Sequence, residues 1–161
     1  MGPVIQGNPL KIFVYLLVIS YVVGEFIISY VVGEFIIPKY PIIYLFNMIG
    51  LIGLIVSLIF FFSGFNLFKS YKENPNPTSD TNRLIKTGIF AYTRNPIYLA
   101  FVLFDCSMFL VFENVMYLLS SLGLFIWINN YVIKSEEEYL KNKFGDEFVR
   151  YCGAVKRWLI F

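Results

Sequence analysis

The sequence contains no histidine, few charged residues and only two cysteines. Without histidine the chain lacks the commonest metal ligand and the usual proton shuttle near neutral pH. This argues against a zinc hydrolase or a histidine-based triad, and we predict no metal site. Cys106 and Cys152 lie far apart without CxxC spacing, so we interpret them as free thiols. The net charge of +2 is too small to indicate a nucleic-acid partner.

Apolar residues are abundant where charges are scarce. Of the 161 residues, 58% are hydrophobic and 15% are charged, whereas an average soluble domain is about a quarter charged. The length allows one domain, and a soluble domain of this size cannot bury so much apolar surface. The composition therefore predicts an integral membrane protein in contact with membrane lipids.

Four apolar stretches are long enough, or nearly so, to cross a bilayer, which takes about 20 helical residues. They cover residues 12–37, 42–68, 97–112 and 115–133. Pro38 and Pro41 separate the first two, and Glu113 and Asn114 alone separate the last two. The first stretch is too long for a signal peptide and lacks a cleavage site, so we interpret it as a retained span. The pattern predicts an all-α, polytopic bundle of about four spans.

Positive charge indicates the orientation of this multi-pass chain. Lysine and arginine are concentrated before the third span and after the fourth: Lys69, Lys72, Arg83, Lys86, Arg94, Lys134, Lys141, Lys143, Arg150, Lys156 and Arg157. These two segments flank one helical hairpin and must share a side. The positive-inside rule then predicts that both termini are cytoplasmic.

An exact tandem duplication lies in the first span, where residues 20–28 are repeated as 29–37. It places Glu25 and Glu34 nine residues apart, which is about 180° around a helix. The two carboxyl groups therefore cannot form one paired site. A glutamate within the membrane is a candidate functional residue, and Glu25, the deeper one, is the better candidate. The alternative is that at least one of the two glutamates has no function and is tolerated because it lies near a membrane interface.

Composition divides the chain into a two-span anchor (1–68), a cytoplasmic linker (69–83) and a C-terminal half (84–161). The linker is polar and contains two Asn-Pro pairs. Beyond the fourth span, apolar residues recur at helical spacing over 135–151, which predicts a cytoplasmic amphipathic helix with a possible break at Gly145. Such a helix would either lie on the lipid headgroups or cover a site.

Three clusters carry candidate chemistry: residues 87–98, 136–145 and 151–158. Each has an ordinary interpretation when taken alone. The first is a helix start, capped by Asn95 with Pro96 in its first turn; the second is a solvated acidic face; the third is an interfacial anchor containing Trp158. Together they place two arginines, an acid pair and several tyrosines at one end of the same hairpin. That combination favours a pocket for a zwitterionic small molecule that stacks on aromatic rings.

The motifs Gly-x-Phe-x-x-x-Arg-Asn-Pro-x-Tyr, Glu-Glu-x-x-Leu-x-x-x-Phe-Gly and a final Arg-Trp flank the hairpin in register. In this order they resemble the isoprenylcysteine carboxyl methyltransferase family, whose relatives include phospholipid N-methyltransferases. The resemblance covers roughly residues 84–158. It implies that the C-terminal half binds S-adenosyl-L-methionine without a Rossmann domain, and that a lipophilic small-molecule substrate enters from the bilayer.

The resemblance also implies the site residues. The cofactor-binding set is Tyr92, Arg94, Asn95, Pro96, Tyr98, Leu99, Glu136, Glu137, Leu140, Phe144, Gly145, Tyr151 and Arg157. The catalytic set is Arg94, Tyr98, Glu137 and Arg157. Arg94 or Arg157 would anchor the cofactor carboxylate, Glu137 would bind polar groups of the cofactor, and Tyr98 would line the methyl-transfer site. Asn95 stands where many members have histidine, and an amide can donate a hydrogen bond but cannot act as a base.

The methyl acceptor stays open between an isoprenylcysteine carboxylate, a phospholipid amine and a small hydrophobic thiol. Asp105, Asn129 and Asn130 either line an entry from the lipid or make polar contacts between helices. Two other functions compete with methyl transfer. An NADPH-dependent membrane reductase has a similar C-terminal architecture, and a non-enzymatic membrane scaffold would have kept the fold without the activity.

Overall fold

The computed structural model describes residues 9–27, 41–75, 80–113 and 115–159. The helices are α1 (Pro9–Ile27), α2 (Pro41–Tyr71), α3 (Pro96–Phe112), α4 (Val115–Trp127), α5 (Ile133–Phe144) and α6 (Asp146–Ala154). A 3-10 turn (Gly88–Ala91) precedes α3, and a π-helical turn (Ile128–Val132) joins α4 to α5. These ranges contain no strand, so the all-helical fold is confirmed.

Proline marks two helix starts close to where the sequence predicts them. Pro41 begins α2 and Pro96 begins α3, because proline at the first helical position loses no intrahelical hydrogen bond. Gly145, at φ 53°, separates α5 from α6, so the predicted helix is indeed broken there. Several predictions fall outside the described residues. They concern the second repeat copy with Glu34, Pro38, the second Asn-Pro pair and Asn114. The side chain of Glu25 also lies outside the described part of the chain.

Helices α2, α3 and α4 pack in sequence, and α1 packs against α4. Phe13 of α1 stacks on Phe101 of α3 with ring centroids 4.5 Å apart. Much of α2 points apolar side chains outward; Tyr44 and Ile52, for example, are 65% and 58% exposed. Two helical stretches of the described chain, Tyr44–Tyr71 and Met116–Phe144, are long and apolar enough to cross a membrane. By length and composition these two helices agree with the predicted location in a membrane, and the count of four spans stays a prediction.

Glycines allow α2 to approach α3 closely. A Cβ atom added at Gly53 would overlap the Ser107 hydroxyl, and one added at Gly64 would lie 2.9 Å from a side-chain carbon of Ile97. Small residues at such interfaces let helix backbones approach closely. Close packing matters in a bilayer because the hydrophobic effect does not drive helices together there. This contact brings the end of α2 beside the start of α3, where the candidate site lies.

Gly53→Ala is expected to lower the free energy of unfolding in detergent by about 1–3 kcal/mol, the usual cost of overpacking. The added methyl group must displace the Ser107 hydroxyl, which now donates to the Leu103 carbonyl, and it crowds the Ser107 Cβ atom at 3.3 Å. Gly123→Ala is the matched control, since a Cβ atom there meets nothing within 4 Å in the described chain and alanine favours the helix. Thermal unfolding of both variants measures the difference. Equal melting temperatures would contradict this packing.

Buried polar side chains join α3 to α4. The Asp105 carboxylate is fully buried and accepts a hydrogen bond of 2.9 Å from the Ser120 hydroxyl. The Cys106 thiol lies 3.0 Å from the Ser121 hydroxyl, which in turn can donate to the Val102 carbonyl at 3.1 Å. Asp105 therefore makes a polar contact between helices, one of the two roles that the sequence left open for it. Both cysteines have free thiols, as predicted.

Candidate functional site

The loop before α3 is hydrogen-bonded to the C-terminal segment. The Arg94 backbone N–H donates to the Lys156 carbonyl at 3.0 Å. The Thr93 hydroxyl and the Asn95 side-chain amide both donate to the Arg157 carbonyl, each at 3.0 Å. The first and third sequence clusters are thus in direct contact, and the two positively charged segments lie at the same end of the bundle.

Asn95 differs from its predicted role as a helix cap. It occupies the N-cap position of α3, but its side chain makes no capping hydrogen bond. Its amide nitrogen donates to Arg157 of the C-terminal segment instead. The predicted cap position is confirmed, but the predicted capping hydrogen bond is not made, because the side-chain amide is oriented toward a tertiary partner that the local sequence does not reveal.

Glu137 of α5 lies between two arginines. Its carboxylate accepts from both Nε and Nη2 of Arg157, at 3.1 and 2.5 Å, and forms an ion pair of 3.0 Å with Nη1 of Arg94. The three side chains are mostly buried, with 22% of Glu137, 27% of Arg157 and 15% of Arg94 exposed. Two guanidinium groups thus share one carboxylate, which leaves an excess positive charge. The Arg94 Nε is buried and has no hydrogen-bond partner among the described residues.

Glu136, the other member of the acid pair, faces a different partner. Adjacent residues point about 100° apart around a helix, so Glu136 turns away from the arginines. Its carboxylate accepts a hydrogen bond of 3.0 Å from the hydroxyl of Tyr98 in α3. The acid pair therefore contributes two separate polar groups to the same region.

A cavity opens beside these groups, with a volume of about 560 Å³ including its mouth. Its lining residues come from α2, the loop before α3, α5 and α6: Phe68, Thr81, Arg83, Leu84, Ile85, Phe90, Arg94, Asn95, Ile133, Glu136, Glu137, Leu140, Phe148 and Tyr151. A second cavity, of about 310 Å³ including its mouth, adjoins the first at five common lining residues: Phe68, Phe90, Arg94, Asn95 and Glu136. It adds Pro75 and, at the start of α3, Pro96, Ile97 and Tyr98. The two cavities adjoin and form one pocket, in which a few charged side chains are set among mainly apolar and aromatic walls.

Two side chains of α6 support this pocket. The Tyr151 hydroxyl donates to the Phe90 carbonyl at 2.7 Å, and burial raises the pKa of Tyr151, so the group stays a neutral donor. The Cys152 sulfur accepts a hydrogen bond from Arg94 Nη1 at 2.5 Å. Burial raises the pKa of Cys152, and the positive charge of Arg94 only partly opposes it. A thiol kept protonated is a poor nucleophile, and the hydrogen bond to Cys152 helps to hold the Arg94 guanidinium.

A profile of the phospholipid methyltransferase family matches residues 45–147, more than half of the chain. The chain belongs to the phospholipid methyltransferase family. An uncharacterized protein of Haemophilus influenzae is 50% identical over 44 residues, which cover 26% of this chain and 70% of that protein. No solved structure shows significant similarity. The membrane methyltransferase resemblance inferred from the motifs is thereby confirmed.

In this phospholipid methyltransferase family member, most of the predicted site residues surround the two cavities. Others lie elsewhere: Tyr92 is 71% exposed, and Leu99 packs against the hydrophobic core. Phe144 and Gly145 form the end of α5 and the turn after it. Arg157 lines an open cleft together with Cys152 and Trp158, and reaches the cavity through Glu137.

The sequence motifs did not identify several residues that line the larger cavity. Phe68 ends the part of α2 assigned to the anchor, and Thr81 and Arg83 belong to the segment assigned to the linker. Their positions depend on how the chain returns to the bundle, which local sequence does not report. Ile133 was detectable, because Ile133, Glu136, Glu137 and Leu140 follow the i, i+3, i+4, i+7 spacing of one helix face.

Proposed function

We propose that this protein is an integral-membrane methyltransferase that uses S-adenosyl-L-methionine and acts on a lipophilic acceptor. Family membership supports the methyltransferase activity. The observation that carries the proposal is the pocket at one end of an apolar helical bundle, in which Arg94, Glu136 and Glu137 face apolar walls. Such a pocket can take up a polar cofactor from one side and a lipophilic substrate from the membrane on the other.

The pocket suits the chemistry of S-adenosyl-L-methionine. That molecule carries a carboxylate, an ammonium group and a planar adenine. Arg94 offers a buried N–H that the described residues leave unpaired, and arginine is well suited to a carboxylate. Glu136 offers a carboxyl group that can accept hydrogen bonds from the ammonium or the ribose hydroxyls, and the rings of Phe68, Phe90 and Phe148 offer surfaces for adenine.

The same contacts favour Arg94 over Arg157 as the carboxylate anchor. Arg157 is already held by Glu137 through two hydrogen bonds and by Asn129 through a third. Arg94 keeps an unpaired donor. Glu137 then acts by orienting both arginines, whereas the sequence predicted that it binds polar groups of the cofactor directly.

S-adenosyl-L-methionine supplies a methyl group that is already activated for displacement. The residues of this chain then contribute mainly by positioning the two reactants. Arg94 fixes the cofactor, Glu137 holds the guanidinium of Arg94 in place, and Tyr98 with Glu136 lines the space where the acceptor meets the methyl group. A carboxylate or thiolate acceptor needs no base, which accords with a chain that has no histidine.

The acceptor is proposed to enter from the bilayer through the smaller cavity, whose walls include Phe68, Ile97 and Tyr98 at the junction of α2 and α3. An isoprenylcysteine carboxylate and a phospholipid amine both carry the lipid tail that such an entry requires. The positively charged loop and tail support a cytoplasmic location for this end of the bundle and for both termini.

Saturable binding of radiolabelled S-adenosyl-L-methionine to the purified protein in nanodiscs is the expected result. The cofactor should also raise the melting temperature in proportion to the logarithm of its concentration, whereas NADPH should not. Stabilisation by NADPH alone would favour a reductase and overturn the proposal. A folded protein that binds neither would indicate a scaffold.

A further inference from the structure

The π-helical turn changes which residues of the fourth span face the site. Asn129 and Glu137 are eight residues apart, and eight residues of regular α-helix would turn them about 80° away from each other. A π-helical turn accommodates one additional residue, which reduces the difference to about 20°. The turn at Ile128–Val132 therefore places Asn129 on the same face as Glu137. Both side chains contact Arg157.

Asn129 is hydrogen-bonded to two consecutive residues of the C-terminal segment. Its side-chain oxygen accepts from Arg157 Nη1 and from the Trp158 indole N–H, both at 3.2 Å. Trp158 is only 3% exposed, and its ring lies 5.1 Å from that of Phe125 in α4. Asn129 thus accepts one hydrogen bond from a charged donor and one from a neutral donor. The neighbouring contact between two aromatic rings buries the Trp158 side chain.

The backbone of the same segment is held from the opposite side. Thr93 and Asn95 both donate to the Arg157 carbonyl, and the Arg94 N–H donates to the Lys156 carbonyl. The C-terminal segment 156–158 is therefore clamped between the loop before α3 and the π-helical turn. Through Arg157 and Glu137, this clamp reaches the guanidinium of Arg94.

We propose that Asn129 is a positioning residue of the cofactor site. By holding Arg157 and Trp158, it fixes Glu137 between the two arginines and so keeps the guanidinium of Arg94 in place at the wall of the cavity, where an anionic group of the ligand would bind. The role is indirect, since Asn129 lies in the open cleft beside Arg157 and not among the lining residues of the larger cavity. The inference rests on the proposed function, because the anionic group is taken to be the carboxylate of S-adenosyl-L-methionine.

Four variants of the 161-residue chain test this role. Asn129→Leu keeps the approximate shape and removes the acceptor, Asn129→Asp keeps an acceptor oxygen, and Asn129→Ala is a second removal in case the leucine variant does not fold. Asn130→Leu is the matched control, because Asn130 is the exposed neighbour on the same turn and its oxygen contacts only Asn129 among the described side chains. Each is made also in a Trp127→Phe background, so that Trp158 is the sole tryptophan.

The leucine and alanine variants are expected to weaken S-adenosyl-L-methionine binding about tenfold, roughly the loss of one hydrogen bond to a charged group. In the methyl-transfer assay the KM for the cofactor rises by a similar factor, while kcat changes less than about twofold. Trp158 emission shifts to longer wavelength as the indole is released. The aspartate variant and Asn130→Leu stay within about twofold of wild type in all three measurements.

Three outcomes would overturn the inference. Wild-type affinity in both removal variants would show that Asn129 does not position the site. A folded Asn129→Asp protein that binds as weakly as Asn129→Leu would show that the acceptor oxygen is not what matters. An equal fall of affinity in Asn130→Leu would indicate general disruption of the turn. Absence of binding by the wild-type protein is a separate result, which would overturn the proposed function together with this inference.

Discussion

Glu137→Ala is expected to abolish saturable S-adenosyl-L-methionine binding and to lower the free energy of unfolding by about 2–4 kcal/mol. The change leaves Arg94 and Arg157 facing each other without the carboxylate that now lies 3.0 and 2.5 Å from them. Breaking a buried ion pair costs about 3–5 kcal/mol, and partial exposure of these three side chains reduces that figure. Labelled-cofactor binding and chemical denaturation in detergent measure the two effects.

Two further variants separate charge from shape at this position. Glu137→Gln keeps the size of the side chain and one acceptor oxygen, so it should retain part of the stability but lose most of the binding. Glu138→Ala is the control, since Glu138 is the exposed neighbour in α5, and it should bind as wild type does. Wild-type binding by Glu137→Ala would contradict the assignment of the site.

Arg94→Ala is expected to weaken cofactor binding by about 100-fold or more. The variant removes the charge and the fork of N–H groups that would hold the cofactor carboxylate, and each hydrogen bond between charged groups contributes about 1.5–3 kcal/mol. Arg94→Lys keeps the charge but cannot form two parallel hydrogen bonds, so a loss of about tenfold is expected. Equilibrium binding of labelled S-adenosyl-L-methionine measures both.

Arg150→Ala provides the matched control for Arg94. Arg150 is an exposed arginine of α6 and lies outside the lining of the cavities described above. Its replacement should leave the affinity within about twofold of wild type. If Arg94→Ala and Arg150→Ala bind equally well, then Arg94 does not anchor the cofactor, and the unpaired N–H has another role.

Sequence patterns predicted the helices well, because apolar runs and proline act locally. The second and third spans were placed within a few residues of α2 and α3, since Pro41 and Pro96 begin helices at low cost. The π-helical turn was not predicted, because Ile128–Val132 contains no proline or glycine that would mark an irregular helix. The helix face on which Asn129 lies could therefore not be predicted either.

The site was predictable as a set of residue types but not as a set of contacts. The motifs identified Arg94, Glu137 and Arg157, and the structure brings the three together. Which arginine keeps an unpaired donor depends on Asn129, whose contact with Arg157 spans 28 residues of sequence. Likewise, Phe68 and Arg83 reach the cavity only because α2 packs on α3 and the loop folds back over it.

The most direct test of the central claim is methyl transfer by the purified protein in nanodiscs. The protein is incubated with methyl-labelled S-adenosyl-L-methionine and either a panel of lipid extracts or prenylated cysteine analogues, and label is counted in the organic phase. We predict enzyme-dependent labelling of at least one lipophilic acceptor, with Arg94→Ala greatly reduced and Arg150→Ala near wild type. A folded wild-type protein that binds the cofactor but labels no acceptor in either panel would contradict the proposed activity.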